Sequence, residues 1–323
     1  MFETGINVWL QSMGSPVLSA LLSGVTLFGY LPAYAVLIVT LAFGVRLRPG
    51  LAVLGAVLLT GLVTEATKEA VAFPRPDQVD DRLMRTLASG GEPVVRRGGA
   101  PGFWSLPAPT AIEAVRARAR GNYGFPSGHI SAATAFLVCT AWFLRSRWVY
   151  AFSVGWLLLM ALSRMYLGRH FLADVLGGFV IGLGVSSAWI RFFPARDPVG
   201  GSWPDRGALR ALWILNVSLL ALTPLWPPLA LRYVGALVGL AISYTVVLVT
   251  GAPPDGGATR RRVTRVLLAL TLFSITLGLT DGLPALAGRN GGRLEELFVG
   301  AIVTTSTFAG TLVLCRRLRL YET

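Results

Sequence analysis

Long apolar blocks separated by short basic loops constrain the fold of this chain more than any other feature. Several blocks approach the roughly 20 residues that a helix needs to cross a bilayer. Apolar residues make up 54% of the chain and charged residues 14%, against about 25% charge in soluble domains. The blocks lack the period of two that a transmembrane barrel requires, whereas helices satisfy their own backbone groups in lipid. The sequence therefore predicts an all-α, polytopic bundle of transmembrane helices.

The apolar blocks predict about nine membrane-spanning helices. Residues 1–28 are expected to form an interfacial N-terminal segment. Residues 29–208 are expected to form a core built on the first five to six spans, and residues 209–323 to add further C-terminal transmembrane helices. The expected limits of the spans are 29–45, 51–71, 128–144, 148–166, 172–192, 209–226, 229–249, 264–283 and 296–314.

The arginines indicate how the helices are oriented, because cytoplasmic loops carry an excess of basic residues. The basic loops follow the odd-numbered spans, so the N-terminus is expected outside and the C-terminus in the cytoplasm. The long loop after the second span is also rich in Arg and counts against this orientation, but long loops inform orientation less than short ones. The arginines after the odd-numbered spans are Arg46, Arg48, Arg145, Arg147, Arg191, Arg196, Arg206, Arg260, Arg261, Arg262, Arg265, Arg316, Arg317 and Arg319. The short loops after the sixth and eighth spans hold fewer, namely Arg232, Arg289 and Arg293.

The net charge of +13 is largely this topological signal. The arginines lie in separate membrane-flanking loops and form no continuous basic stripe, which argues against a nucleic-acid partner. An Arg-rich, Lys-poor composition is typical of a GC-rich bacterial genome. It favours a plasma (inner) membrane protein whose outer face meets the periplasm or exterior.

One connection is much longer than the others. Residues 72–127 are expected outside and are rich in Pro and Gly. Thr110 and Glu113 have the spacing of a capping box, which predicts a short helix over about 110–120. This helix suits either a solvated surface or a basic lip that attracts anionic lipid or phosphate headgroups. Its basic residues are Arg116, Arg118 and Arg120.

The single lysine of the chain, Lys68, lies near the outer end of the second span. Its compact ammonium and the planar guanidinium of Arg75 together suit a tetrahedral oxyanion. The two residues are about two helical turns apart, so a continuous helix would place them on one face. The alternative is that both side chains extend toward lipid headgroups.

A second cluster enters the third span. Pro126 and Gly128 predict a turn, and Ser127 with the backbone N–H groups that follow it would form an anion cradle at a helix N-terminus. His129, one of two histidines in the chain, lies at its rim. Ordinary helix capping is the alternative reading.

A third cluster joins the fourth and fifth spans. His170 and Asp174 are four residues apart, so on a helix they share a face. A carboxylate so placed fixes the imidazole tautomer and stabilises a cation on the ring, as an activated histidine nucleophile requires. The alternative is a structural His–Asp pair at a helix end. Arg164 and Arg169 lie in the same segment.

The predicted topology brings all three clusters to the outer ends of spans two to five. Charged groups at such depth are costly and are functional by default. A transporter is disfavoured, because the charges gather at one membrane face and transporter sites lie near the midplane. The pattern indicates a phosphate-handling enzyme at the extracytoplasmic surface.

In this order, Lys-x6-Arg-Pro, Pro-Ser-Gly-His and Ser-Arg-x5-His-x3-Asp resemble the three signature motifs of the type 2 phosphatidic acid phosphatase superfamily. That family includes lipid phosphate phosphatases, bacterial undecaprenyl pyrophosphate phosphatases, glucose-6-phosphatase and the vanadium haloperoxidases. All signature positions match, and the resemblance covers roughly residues 25–192. It identifies the predicted core, 29–208, as a phosphatase core.

The resemblance implies a role for each matching position. His170 would attack phosphorus and form a phosphohistidine, supported by Asp174, while His129 would protonate the leaving oxygen and later activate water. Arg169 is not a signature position and would add charge at the site or bind lipid. No metal or other cofactor is implied. The residues that would hold the phosphoryl oxygens are Lys68, Arg75, Ser127, Gly128 and Arg164.

The resulting functional prediction is an integral-membrane hydrolase. Its substrate would be a lipid phosphate or pyrophosphate monoester, and its partners would be that substrate and the membrane lipids around it. Two alternatives share the chemistry. One is a phosphatase for a soluble sugar phosphate, similar to glucose-6-phosphatase. The other is a phosphotransferase, in which a hydroxyl replaces water as the acceptor.

Overall fold

The computed structural model describes residues 1–83, 93–118, 122–192, 205–226, 229–282 and 292–321. Within these ranges the regular structure is helical, apart from one antiparallel bridge between Asp80 and Arg97, which confirms the predicted all-α class. Arg120, Arg196 and Arg289 lie outside the described residues. The helices are α1 (Gly5–Ser12), α2 (Pro16–Leu27), α3 (Leu31–Val39), α4 (Leu47–Val71), α5 (Pro76–Val79), α6 (Pro109–Arg118), α7 (Gly128–Leu144), α8 (Arg147–Tyr166), α9 (Leu172–Phe192), α10 (Arg206–Leu222), α11 (Leu231–Thr250), α12 (Thr259–Leu277), α13 (Arg293–Thr305) and α14 (Thr311–Arg317).

Six helical stretches in the described residues are long and apolar enough to cross a membrane. A seventh is possible if α2 and α3 form one span, although the two are bent by 59°. Each of the nine predicted segments coincides with a helix, but α7 and α10 are only 17 residues long. The predicted count of nine is therefore not confirmed, while the polytopic membrane character is. The six stretches are Leu47–Val79, Arg147–Tyr166, Leu172–Arg191, Leu231–Thr250, Thr259–Gly282 and Arg293–Arg317.

The chain divides into two compact units. Unit 1 comprises residues 1–34 and 63–186, and unit 2 comprises residues 35–62 and 187–323. Unit 1 contains α1, α2 and α5 to α8, with the end of α4 and most of α9. The division falls inside helices rather than at 28/29 or 208/209, and the predicted domain scheme stays a prediction.

Close packing of α9 against α7 organises unit 1. A Cβ atom built on Gly178 would lie 2.5 Å from the carbonyl oxygen of Ser127, and one on Gly182 would lie 2.5 Å from that of Ser131. No side chain fits at such distances, so the two glycines allow the helices to approach closely. This small-residue pair brings the first turn of α9 beside the start of α7.

The N-terminal helices pack into unit 1 as well. Helix α2 begins at Pro16, and the side chain of Ser15 caps it by accepting a hydrogen bond from the N–H of Leu18. Pro suits this first position because its missing N–H would have no helical partner there. Leu22 of α2 is fully buried in a cluster that includes Met160 of α8. One face of each N-terminal helix, with Leu10, Leu22 and Val25, is thus part of a packed core.

Unit 2 is built on an equally close pair of helices, α11 and α13. A Cβ on Gly239 would lie 2.8 Å from the carbonyl oxygen of Ala301. Gly235 and Gly300 likewise face backbone of the opposite helix with no room for a side chain. The side chain of Asp205 starts α10 by accepting hydrogen bonds from the N–H groups of the first turn.

Candidate active site

His170 and Asp174 form a buried pair at the start of α9. The Nδ1 atom of His170 lies 3.3 Å from Oδ2 of Asp174, and the two side chains are 2% and 0% exposed. The N–H of Phe171 donates to the same carboxylate oxygen at 2.9 Å. The carboxylate therefore faces Nδ1, which leaves Nε2 as the ring nitrogen able to react.

The spacing of four residues suggested that His170 and Asp174 lie along one helix. The structure shows that they do not. Helix α8 ends at Tyr166 and α9 begins only at Leu172, so His170 belongs to the connecting turn. Gly168 has a φ of +68°, a left-handed conformation that glycine adopts without steric cost. This turn lets Asp174 reach back from the first turn of α9 to the imidazole.

The electrostatic environment of His170 favours its neutral form. Burial lowers the pKa of the imidazole well below its usual value, and the positive charges of Arg164 and Arg75, with contributions from His129 and Lys68, lower it further. A neutral ring keeps a lone pair on nitrogen. The same interactions mean that residues from all three sequence clusters act on this one imidazole.

Ser127 and Gly128 lie at the start of α7. Ser127 occupies the capping position, yet its side chain makes no capping hydrogen bond, and its buried Oγ has no partner among the described residues. Its N–H donates to the backbone oxygen of Asp174 at 2.9 Å. An unpartnered hydroxyl at a helix N-terminus, where backbone N–H groups are also free, is suited to an anion.

His129 follows in the first turn of α7. Its Nε2 is buried without a partner among the described residues. The ring of Tyr30 meets it edge-on, with centroids 4.8 Å apart, and a Cβ on Gly29 would lie 2.6 Å from its Cγ. The break between α2 and α3 therefore forms one wall around this imidazole.

Lys68 reaches the same place from the last turns of α4. A Cβ built on Gly128 would lie 3.3 Å from the Lys68 ammonium nitrogen. Nζ also pairs with Glu65, one helical turn earlier, at 2.6 Å. The side chain is thus directed across α4 toward the start of α7, and Glu65 partly neutralises it.

Arg75 reaches the site by a different route from the one that the spacing predicted. Helix α4 ends at Val71, and Ala72 has a φ of 52°, so Lys68 and Arg75 do not share a helix face and that prediction was wrong. Arg75 is extended at the start of α5 and donates from Nε to the carbonyl of Asn122 at 3.2 Å. Pro74 and Pro76 explain the break, because a proline disfavours helical backbone at the preceding residue.

Arg164 lies in the last turn of α8 and is 3% exposed. One terminal nitrogen donates to the hydroxyl of Thr26 at 2.5 Å. Its Nε has no hydrogen-bond partner, and it forms no ion pair with any described carboxylate. A buried guanidinium that retains free donors is poised for an incoming anion.

Arg169 has a partner of its own. Its terminal nitrogen pairs with Oδ2 of Asp77 at 2.6 Å, and both side chains are buried. The N–H of Asp77 also donates to the backbone oxygen of Gly168 at 3.0 Å. The ion pair therefore fixes the turn that carries His170 against α5, and its burial is at odds with the lipid contact considered from the sequence.

Several residues of the site were not identified from the sequence. They include Asp77 of α5, Asn7 and Thr26 of the N-terminal helices, and Tyr30 from the break between α2 and α3. Asn7 and Gln11 are polar residues one turn apart in an apolar segment. This pattern is the feature of the sequence that could have indicated a buried polar contact here. As for metal ions, no group of three or more His, Cys, Asp and Glu in the described ranges is arranged to hold one.

Chemically, the arrangement places an imidazole that could act as a nucleophile among groups that favour an anion. A neutral, carboxylate-backed imidazole stands near a second imidazole, two arginines, a lysine and an unpartnered helix N-terminus. Such fixed donors stabilise charge that develops on phosphoryl oxygens without reorganising during reaction. The arrangement suits attack on a phosphate ester and stabilisation of the resulting transition state.

Comparison with known proteins gives consistent results. A family model described as the PAP2 superfamily matches residues 49–198. The chain is similar to a lipid A 4'-phosphatase from Bacteroides thetaiotaomicron, with 34% identity over 25% of this chain and 35% of the relative. It is similar to the human sphingosine-1-phosphate phosphatase 2, with 34% identity over 24% of this chain and 21% of the relative. It is also similar to phosphatidylglycerophosphatase B from Bacillus subtilis, with 38% identity over 19% of this chain and 35% of the relative.

The matched stretches cover about a third or less of each relative. No solved structure matches the chain. The family model nevertheless spans all three motif clusters, from Lys68 to Asp174. Residues 49–198 of this chain are therefore similar to the PAP2 superfamily.

Proposed function

We propose that this protein is an integral-membrane phosphatase that hydrolyses a lipid phosphate or pyrophosphate monoester through a phosphohistidine intermediate. The observation that carries the proposal is the buried His170–Asp174 pair, whose imidazole is held neutral within reach of positive charge from Arg164, Arg75 and Lys68. A positioned, uncharged imidazole facing several cations matches the needs of phosphoryl transfer.

In the first step, Nε2 of His170 attacks phosphorus while the bond from phosphorus to the leaving oxygen breaks. His129 supplies the proton to that oxygen, which therefore leaves as a hydroxyl group. The leaving molecule is an alcohol for a phosphate monoester and a lipid monophosphate for a pyrophosphate. Asp174 stabilises the positive charge that the attack places on the His170 ring. The product is phosphohistidine with a neutral His129.

In the second step, His129 takes a proton from water as the water oxygen attacks phosphorus. The bond between phosphorus and Nε2 breaks, inorganic phosphate is released, and His170 returns to its starting state. Arg75, Arg164 and Lys68 would hold the phosphoryl oxygens in both steps. The hydroxyl of Ser127 and the N–H of Gly128 would add donors at the start of α7. No step requires a metal ion.

We infer that nine helices cross the plasma membrane, with the site on the outer side. This proposed count adds α7, α10 and the bent α2–α3 pair to the six long apolar stretches, and it follows the nine apolar blocks of the sequence. The distribution of arginine supports an external N-terminus and a cytoplasmic C-terminus. The motif clusters then open toward the periplasm or exterior.

A lipid substrate is favoured over a soluble one by an exposed apolar patch in the long loop, formed by Phe103, Trp104 and Leu106. Their side chains are 42%, 82% and 55% exposed. Tryptophan prefers the membrane–water interface. Helix α6 follows directly, and its Arg116 donates to the carbonyl of Val71 at the end of α4. The patch and the basic helix together suit an anionic lipid surface beside the site.

The relatives support the same substrate class, since their names refer to lipid A, sphingosine 1-phosphate and phosphatidylglycerophosphate. The decisive test is phosphate release by the purified protein from phosphatidate, phosphatidylglycerol phosphate, a prenyl pyrophosphate and glucose 6-phosphate. We expect turnover of at least one lipid. His170→Ala should lower the rate of phosphate release about 10⁴-fold or more, because the groups of a nucleophilic unit depend on one another for catalysis.

A matched control is Ser243→Ala in unit 2, a buried hydroxyl that bonds only to the carbonyl of Gly239 in its own helix. It should keep wild-type turnover. Labelled lipid, quenched in alkali, should leave phosphate on the wild-type protein and none on His170→Ala. Equal activity of His170→Ala and wild type would overturn the proposal, and faster turnover of glucose 6-phosphate than of every lipid would favour a sugar phosphatase.

The patch has its own test. Replacing Phe103, Trp104 and Leu106 together with serine should raise the KM for a long-chain lipid phosphate in vesicles about tenfold. The KM for a short-chain, water-soluble analogue should stay within twofold, because that substrate needs no interface. An equal change for both substrates would mean that the patch does not act through the lipid surface.

A further inference from the structure

We propose that the N-terminal helices α1 and α2 complete the phosphate site, with Thr26 and Asn7 as positioning residues for Arg164 and His170. Both helices lie outside residues 49–198, the part that the family model matches. The inference rests on the proposed function, since it assigns Arg164 to the phosphoryl oxygens and His170 to the attack.

Thr26 lies near the end of α2 and is 5% exposed. Its hydroxyl accepts a hydrogen bond from a terminal nitrogen of Arg164 at 2.5 Å, and its backbone carbonyl faces the imidazole of His129. One residue thus touches both a proposed phosphate ligand and the proposed acid. Because Arg164 has no described carboxylate partner, Thr26 is what orients its guanidinium, while Nε stays unpartnered.

Asn7 acts on the turn that carries the nucleophile. It is fully buried in α1, and its side-chain nitrogen donates to the carbonyl of Met165 at 2.7 Å and to that of His170 at 3.0 Å. These two carbonyls lie at opposite ends of the turn between α8 and α9. A single amide therefore clamps the turn and fixes the backbone of His170.

Two neighbouring contacts reinforce the clamp. The side chain of Gln11, one turn after Asn7, donates to the carbonyl of Tyr166 at 2.8 Å. The hydroxyl of Ser163 donates to the carbonyl of Leu22 in α2 at 2.7 Å. The last turn of α8 and the turn after it are therefore held by polar contacts from the N-terminal helices. Apolar packing would set the helix spacing, whereas these directional bonds set the orientation of the site.

Thr26 and Asn7 contact other protein groups and not the reacting atoms, so the expected defect is one of orientation. Thr26→Val removes the hydroxyl but keeps the shape, and Thr26→Ser restores it. We expect Thr26→Val to lower kcat/KM for the best lipid about tenfold and to raise the inhibition constant of inorganic phosphate several-fold. Thr26→Ser should stay within about twofold of wild type in both.

The matched control for Thr26 is Thr307→Val in unit 2. Thr307 is 2% exposed, and its hydroxyl bonds to the carbonyl of Val303, one turn earlier in the chain, at 2.7 Å. This variant loses a buried threonine hydroxyl of the same kind. Its kcat/KM and its phosphate inhibition constant should match those of the wild type, whatever its melting temperature.

Asn7 also has a counterpart in unit 2. Asn216 is fully buried and donates to the carbonyls of Leu212 and Leu237 at 2.8 and 3.3 Å. Asn7→Asp and Asn216→Asp both replace the donating amide. We expect both to lower the melting temperature, but only Asn7→Asp to lower kcat, because only that clamp holds His170.

Phosphate binding separates the two proposals. Inorganic phosphate should raise the melting temperature of the wild type and of His170→Ala, and raise that of Thr26→Val much less. Wild-type kcat/KM and phosphate inhibition in Thr26→Val would overturn the positioning role while leaving the phosphatase intact. A wild-type protein that binds phosphate but releases none from any lipid would overturn the proposed function, and the binding measurement on Thr26→Val would still test the positioning role.

Discussion

The two units of the molecule differ most in what they bury. Unit 1 buries several charged side chains, among them Arg164, Arg169 and Asp174. In unit 2, Arg265 is the buried charged side chain within the described ranges. The other buried polar groups there are mostly hydroxyls. Those of Ser243 and Thr307 bond to a carbonyl one turn earlier in the chain, while those of Thr60 and Thr311 have no partner among the described residues.

We propose that this difference separates a reactive unit from a scaffold. A hydroxyl that bonds within its own helix is satisfied wherever that helix packs. A buried charge must find its partner in another part of the chain, and it is costly when that partner is missing. Unit 1 accepts this cost at the His170 turn, where several donors are left without partners. We infer that the variants with large catalytic effects will be confined to unit 1.

The largest expected effect is that of Asp174→Asn. The neutral amide cannot stabilise positive charge on the imidazole, and it allows the wrong tautomer at Nδ1. We expect kcat to fall about 10³-fold, by analogy with a carboxylate that orients a catalytic histidine. Lipid phosphate turnover, measured beside the melting temperature, checks this. A decrease of less than tenfold in a folded variant would contradict the role of the pair.

Much of the fold was predictable because helix formation in a membrane is local. Apolar blocks of sufficient length specify helices by themselves, so each predicted segment coincides with a described helix. The helix predicted over about 110–120 is also confirmed, as α6 over Pro109–Arg118. The close packing at Gly178 and Gly182 also has a local origin, because small residues four apart permit close packing whatever the partner helix is.

The geometry of the site was less predictable because it depends on breaks and on distant partners. The turn at Gly168 and the end of α4 at Val71 change which residues share a face, and helical spacing alone misplaced both His170 and Arg75. Thr26 meets Arg164 across 138 positions of chain. A single sequence contains no signal for such a pair, since threonine is common in apolar helices and its partner is set only by packing.

A smaller effect distinguishes structural from reactive carboxylates within unit 1. Asp80 binds Arg82, Arg97 and the hydroxyl of Thr4. Burial alone would raise the pKa of Asp80, but the hydrogen bonds from Arg82 and Thr4 outweigh it and hold the pKa at about 2. Because the unfolded value is about 3.9, this group stabilises the folded state above about pH 4, and the contribution is lost as the pH falls toward 2.

Asp80→Asn should therefore lower stability at neutral pH by roughly 1–2 kcal/mol, a value reduced from the full shift because the arginines are partly solvated. The loss should shrink as the pH is lowered toward 3, since the carboxyl group of the unfolded chain then takes up protons while that of the folded protein stays ionised, and the stabilising difference between the two states decreases. Thermal unfolding in detergent at pH 7 and pH 3 measures this. A difference between variant and wild type that stays constant with pH would contradict it.

The smallest effect is expected in unit 2, where the carboxylate of Asp281 pairs with Arg232. Asp281 follows α12 and has its basic partner in α11. Both side chains are partly exposed, at 41% and 35%, so the pair is worth at most about 1 kcal/mol. Asp281→Asn should change lipid phosphate turnover by less than twofold, against about 10³-fold for Asp174→Asn. A tenfold loss of turnover at unchanged melting temperature would mean that unit 2 contributes to catalysis, and the division between a reactive unit and a scaffold would then be wrong.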